Sequence, residues 1–180
     1  MSFARGRLLV AAPTLPDPNF RRAVLLVCEH SDEGALGIVL NRPGELLAAE
    51  AVPELAEALD PGAVVWAGGP VGTDGVVVLA EWEDPAAAAG LVLGAVGLLG
   101  AGDGEDALAH TTRVRAFAGI SGWGPSQLEA ELAREDWIVV DGEPDDVFCA
   151  DPGRLWGTVL ARQGGRLALL ARMPVDPSVN

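Results

Sequence analysis

Residues 119–132 read Gly119-Ile120-Ser121-Gly122-Trp123-Gly124-Pro125-Ser126-Gln127-Leu128-Glu129-Ala130-Glu131-Leu132. The order implies the end of a strand, a glycine-rich turn and the start of a helix. Upstream, Val114, Ala116 and Ala118 alternate with Arg115 and Phe117, which suits a strand buried on both faces. Gly122 and Gly124 bracket Trp123, where the backbone can take angles closed to other residues. Pro125 suits the first helical position, and Gln127 is placed to reach back to a cap at Gly124. Leu128 and Leu132 share one helix face, with Glu129, Glu131 and Arg134 on others.

Outward from this stretch the chain alternates short apolar runs with polar turns. Leu8–Ala12 is a strand ended by Pro13, and Pro16-Asp17-Pro18-Asn19 is an ordered turn. Ala23–Cys28 and Ala35–Leu40, joined by the polar segment Glu29–Gly34, read as an antiparallel hairpin. Leu46–Leu59 is rich in Ala and Glu and reads as helical, kinked or restarted at Pro53. Val64–Ala67, the sharp turn Gly68–Gly72 and Gly75–Leu79 suggest a second hairpin. Asp103–Thr112 suggests a short helix, and Arg113–Ile120 is the strand that enters the opening stretch. Gln127–Arg134 is a helix, Trp137–Val140 a strand, Asp141–Asp146 an acidic turn and Pro152–Arg162 a helix. Leu167–Met173 is expected to pack on the body, with a frayed tail from Pro174. Gly90–Leu99 is left unassigned by its pattern.

Hairpins mixed with helices, without regular strand–helix alternation, indicate an α+β fold with an antiparallel or mixed sheet. The 180 residues suit one domain spanning 1–180, with enough apolar sequence for a sizeable core. Ala86–Gly102 is uncharged and apolar, but it is short, glycine-rich and flanked by Asp84 and Asp103. A buried strand with a loop is the better reading, and no membrane association is expected.

A net charge of −14 disfavours direct nucleic-acid binding and favours cationic partners. All basic residues are Arg, so no P-loop lysine exists, and no Gly-x-Gly-x-x-Gly follows the first strand. Tyr is absent, which excludes tyrosine-based catalysis. Two cysteines and the absence of a signal-like segment in Met1–Arg7 lead to an expectation of a cytoplasmic protein.

Four stretches in order carry a resemblance. They are Asp17-Pro18-Asn19-Phe20-Arg21-Arg22; Cys28-Glu29-His30 followed by Gly34-Ala35-Leu36-Gly37-Ile38-Val39-Leu40-Asn41-Arg42-Pro43; Trp66-Ala67-Gly68-Gly69-Pro70-Val71; and residues 119–129. Together they resemble the AlgH/YqgE family of small bacterial proteins. The resemblance implies an α+β fold with a small barrel-like sheet flanked by helices, and a cytosolic location. It supplies no reaction, although one member's name is linked to regulation of alginate synthesis. Ile120 stands where the family often has Tyr, and Ser126 where it often has Gly.

Candidate chemistry is sparse. Ser121 at a strand-to-helix turn occupies the place of a hydrolase nucleophile, but Trp123 replaces the second glycine of a Gly-x-Ser-x-Gly elbow. Cys28 is the other candidate nucleophile. Cys28 and His30, two apart on a strand, are expected to face one way; with His110 and Cys149 they would make a zinc set that the spacing does not demand. No metal and no cofactor are therefore assigned. Backbone N–H groups at Pro125 and at Gly68-Gly69 are read as packing turns rather than anion sites. Arg21, Arg22 and Arg42 are expected to pair with this chain's own carboxylates. The leading expectation is a binding or regulatory module with a protein partner, its surface running through Asn19, Arg21, His30, Asn41, Ser121 and Trp123. The alternative is a hydrolase using Ser121 or Cys28.

Overall fold

The apolar runs become the strands of one curled sheet in the computed structural model, which describes residues 4–100 and 107–175. In chain order the strands are β1 (Arg7–Ala11), β2 (Val24–Ser31), β3 (Gly34–Val39), β4 (Pro43–Leu47), β5 (Val64–Ala67) and β6 (Val71–Trp82). They continue as β7 (Leu91–Leu93), β8 (Val96–Leu99), β9 (Thr111–Trp123) and β10 (Trp137–Asp141). The sheet order is β10-β1-β2-β3-β9-β6-β8-β7, with β4 on β5 and β5 parallel to β9. The helices are α1 (Ala48–Ala51), α2 (Gln127–Ala133), α3 (Pro144–Val147), α4 (Pro152–Arg162) and α5 (Gly165–Leu170). This is the expected α+β class, with the sheet bent into a half-barrel.

Apolar residues on consecutive positions put both faces of the sheet into cores. Leu8 and Val10 of β1 enter the inner core with Leu26, Ile38, Phe117 and Leu79, and α4 covers it with Trp156, Val159 and Leu160. Leu9 and Ala11 point the other way, to a second core with Leu25, Val27, Trp123 and Trp137 under Leu128 of α2. A third core lies outside β5, β6 and β9, where Ala48 and Leu55 cover Val65, Val78 and Ala116.

The bend depends on glycine. β9 pairs with β6 and β5 through its first half and with β3 through Ser121–Trp123. Where it changes partners, the β5–β6 connection crosses it backbone to backbone. A Cβ on Gly119, at φ +72, would lie 2.4 Å from the Gly69 carbonyl oxygen, so only glycine fits. Gly68 ties the two halves together: its N–H donates to Ala118 O and its carbonyl accepts from Val39 N, each at 2.8 Å.

Several expectations are corrected here. The two strands flanking Gly68–Gly72 do not pair with each other as a hairpin; both pair with β9, because the glycine crossing lets β9 pass between them. Leu46–Leu59 does restart at Pro53, but it is less helical than expected: Leu46 and Leu47 extend β4, and only α1 and a 3-10 turn at Pro53–Leu55 are helical. Gly90–Leu99 is the β7–β8 hairpin. The acidic turn contains α3, whose capping box joins Glu143 and Asp146. The Asp103–Thr112 helix lies partly outside the described residues, as does most of the tail from Pro174. No helix among the described residues is long and apolar enough to cross a membrane.

Candidate functional site

Ser121 is not at a strand-to-helix turn. β9 continues to Trp123, and the turn is Gly124–Ser126. Pro125 therefore precedes the helix, and Ser126 is the N-cap, at φ 60. Its left-handed backbone is uncommon for a residue with a Cβ. Gln127 does reach back, its Oε1 accepting from Gly124 N at 3.0 Å. The N–H groups of Gly124 and Gln127 at this turn, and that of Gly68, are thus engaged within the chain.

Register fixes which candidates share a face. Trp123 lies opposite Ala35, and Ala35 opposite His30; Ser121 lies opposite Gly37, and Gly37 opposite Val27. Directly opposed residues point to the same side of a sheet, so His30, Ser121 and Trp123 all face α2. The Trp123 ring lies over Gly37, where a Cβ would sit 3.2 Å from it. Ser121 and His30 are separated by strand β3 and two residues of register, roughly 11 Å between backbones at ordinary sheet spacings. His30 instead presents Nε2 to Glu129 Oε1 of α2 at 2.8 Å and is buried. The Ser121 hydroxyl is buried and donates to Gly68 O at 3.4 Å. His110 precedes β9 and Ser121 is near its end, eleven residues on, roughly 35 Å along the strand. Neither imidazole stands beside the hydroxyl.

Cys28 and His30 do not face one way. The pairing steps from Val27–Gly37 to Glu29–Leu36, leaving Cys28 as an extra bulged residue. A bulge shifts the alternation of side chains. Cys28 enters the inner core, whereas His30 faces α2. Burial, aided by Glu29, pushes the Cys28 thiol up to about 12. Cys149 packs against the same core, with its Sγ 4.0 Å from Arg115 Nη1 and 3.9 Å from Leu40 O. The proposed set of two cysteines and two histidines is therefore not gathered, and among the described residues no group of three metal-ligating side chains is.

What the fold does build beside Ser121 is an open groove of about 230 Å³. Leu15 and Phe20 of the loop, Pro70 and Val71, and the buried Trp123 and Trp137 line it. Val71 is 52% exposed. One carboxylate oxygen, Glu131 Oε2, accepts from Trp123 Nε1 at 2.9 Å and from Trp137 Nε1 at 2.8 Å. Phe20 meets Trp137 edge-on at 5.5 Å. Asp17, Glu131 and Asp136 lend the rim negative charge, while Arg134 is paired to Asp136 at 2.7 Å. Glu129, Glu131, Trp137 and Phe20 were not singled out by the sequence. A helix with two glutamates on supposedly outward faces gave no sign that both turn back to the sheet.

Asn19, Arg21 and Asn41 belong to a second cluster. Asn41 is buried and clamps the entry to β2: its Oδ1 accepts from Val24 N at 3.0 Å and its Nδ2 donates to Arg22 O at 2.9 Å. Asn19 is exposed in the 3-10 turn capped by Asp17. Arg21 donates to Val175 O. The expected surface is therefore two neighbouring sites joined by the loop from Leu15 to Arg22, and His30 lies beneath α2 rather than on either.

The sequence profile of a family described as AlgH-like matches residues 8–168. A UPF0301 protein of Streptomyces coelicolor is 45% identical over 187 aligned residues, covering 100% of this chain and 97% of that one. A UPF0301 protein of Thermobifida fusca is 43% identical, covering 97% of this chain and 94% of the relative. Among solved structures, a Corynebacterium diphtheriae protein superposes with a TM-score of 0.84 at 29% identity, over 93% of this chain and 91% of that one. The solution structure of the AlgH protein from Pseudomonas aeruginosa gives a TM-score of 0.68 at 30% identity, over 97% of each chain.

Proposed function

This chain belongs to the AlgH-like family, and from that premise we propose that it is a non-catalytic recognition module acting in the cytoplasm. Its groove between the Leu15–Phe20 loop and Val71 takes an apolar side chain of a protein partner, with basic residues flanking it. The observation that carries this reading is an open groove in which Phe20 and an exposed Val71 stand beside two buried indoles fixed by Glu131. A side chain that fills a preformed apolar pocket dominates interface energetics. The acidic rim and the net charge of −14 favour a cationic segment. The same charge argues against direct binding of nucleic acid.

The catalytic alternative receives less support. Ser121 is committed to Gly68 O without an imidazole at hand, and the Cys28 thiol is buried and held protonated. The test is native affinity capture with wild type, Val71→Glu and Thr158→Glu, the last on the exposed face of α4. The reading expects one partner to be retained by wild type and Thr158→Glu and lost by Val71→Glu. Equal recovery by all three, or no specific partner, would contradict it.

A further inference from the structure

Arg21, Arg22 and Arg42 were expected to pair with carboxylates, and they do not. Arg21 donates to Val175 O, Arg22 to Met173 O, and Arg42 to Arg21 O and Asn41 O. Among the described residues none of the three is in an ion pair, although Arg7, Arg113, Arg134 and Arg162 each are. This is notable in a chain with 26 acidic residues against 12 basic ones. A guanidinium has five N–H donors in a planar fork, and most donors of the three make no hydrogen bond among the described residues.

The three arginines cluster around the Arg21–Arg22 backbone. Arg21 and Arg22 reach carbonyls two residues apart on one segment, roughly 7 Å in extended chain. Arg42 in turn reaches the carbonyl of Arg21 itself. Burial, and then the charge of Arg21, hold the Arg22 guanidinium below its ordinary value; burial does the same to Arg42.

The cluster is also held in place. Arg22 has φ 54, a conformation uncommon for a residue with a side chain, and Asn41 fixes it through the Arg22 carbonyl. The Arg22 guanidinium lies over the Trp156 ring at 4.4 Å. Backbone strain, and like charges brought together with no ion-pair partner among the described residues, are tolerated where they serve binding. We propose that Arg21, Arg22 and Arg42 form a binding site for a doubly charged oxyanion, either phosphate or the phosphoryl group of a small phosphomonoester. Planar guanidinium forks match such oxygens. Three cations suit a dianion better than a single carboxylate, and the acidity of the rest of the chain repels extended polyanions. The site stands independently of the groove and of its proposed partner.

The test follows the Nε–Hε NMR signals of Arg21, Arg22 and Arg42 during titration at constant ionic strength. The ligands are inorganic phosphate, phenyl phosphate and acetate. The expected result is a saturable shift of all three signals with phosphate, about ten-fold weaker with acetate and about ten-fold weaker in Arg21→Gln. Arg21 is exposed, so this variant is expected to fold, and Arg154→Gln, on the exposed face of α4, should bind as wild type does. Binding of phenyl phosphate as tight as that of phosphate identifies a phosphomonoester site; exclusion of it identifies a site for free phosphate. No saturable shift, equal affinity for acetate, or undiminished binding by Arg21→Gln would overturn the proposal.

Discussion

Trp123 and Trp137 share one hydrogen-bond acceptor: both indole N–H groups point at Oε2 of Glu131, with the rings 6.2 Å apart at 80°. The two residues come from different strands, β9 and β10, and the glutamate from the helix between them. Its other oxygen accepts from Gln127 Nε2 at 3.0 Å. A charged acceptor binds two donors more strongly than a neutral one would. The bridge therefore locks α2, both strands and the two indoles of the groove as one unit.

Removing the bridge leaves two buried indole donors unsatisfied. Glu131→Ala is expected to cost about 2–6 kcal/mol, since each of the two orphaned donors carries a penalty of about 1–3 kcal/mol. Glu131→Gln, which keeps an acceptor, should cost less. Urea unfolding gives the energies, and near-UV circular dichroism should show the indole signals weakened in the alanine variant. A loss within experimental error would mean the bridge is incidental.

The glycine crossing predicts a contrast within five residues. Gly119→Ala places a Cβ against Gly69 O at a positive φ and is expected to destabilise by about 3 kcal/mol or more. Gly122→Ala meets nothing within 4 Å, and its effect should stay within about 1 kcal/mol. Denaturant midpoints of the two variants check this; similar midpoints would show that the crossing relaxes.

Cys28 should be inert in the folded chain. With its thiol pushed up to about 12 and its side chain buried, the reactive thiolate is on the order of 10⁻⁴ of the population at pH 8. Iodoacetamide followed by peptide mass spectrometry should modify Cys28 only after unfolding. Rapid labelling of the native protein would restore it as a candidate nucleophile.

Acid should weaken the seam between β6 and β9. Arg113, donating from Nε to Glu81 Oε2 at 2.7 Å, holds the Glu81 carboxyl below its ordinary value. A carboxyl with a depressed folded-state pKa stabilises at neutral pH, and that contribution is lost as pH falls through the folded value. The difference in melting temperature between wild type and Glu81→Gln should be greatest near pH 7 and shrink below the usual carboxylate range. A difference that grows with acidity would contradict the sign.

Much of the fold was legible because burial on both sheet faces leaves unbroken apolar runs, as in Leu8–Ala12 and Ala23–Cys28. The hairpin of β2 and β3 followed directly from its polar turn. The β9 crossing was not legible, because glycines beside Ser121 suggest a turn whether they end a strand or let another backbone approach it. The Cys28 bulge has no compositional mark either, yet it moves Cys28 and His30 to opposite faces. Ser126 did carry a signal: the family resemblance implies a glycine at that position, and a φ of 60 is a conformation that favours one. Of the candidate site, Ser121 and Trp123 reached the groove, whereas Asn41 and His30 serve the scaffold. Glu131 was hidden because tertiary contacts, not helical periodicity, decide which way a glutamate turns.

The recognition groove is tested most directly by a photo-crosslinking amino acid placed at Val71 in living cells, with Thr158 as the reference position. The account predicts one defined protein adduct from position 71, retained when Ser121 is changed to Ala, and none from position 158. An adduct pattern that is the same at both positions, or one that vanishes with the Ser121 hydroxyl, would contradict it.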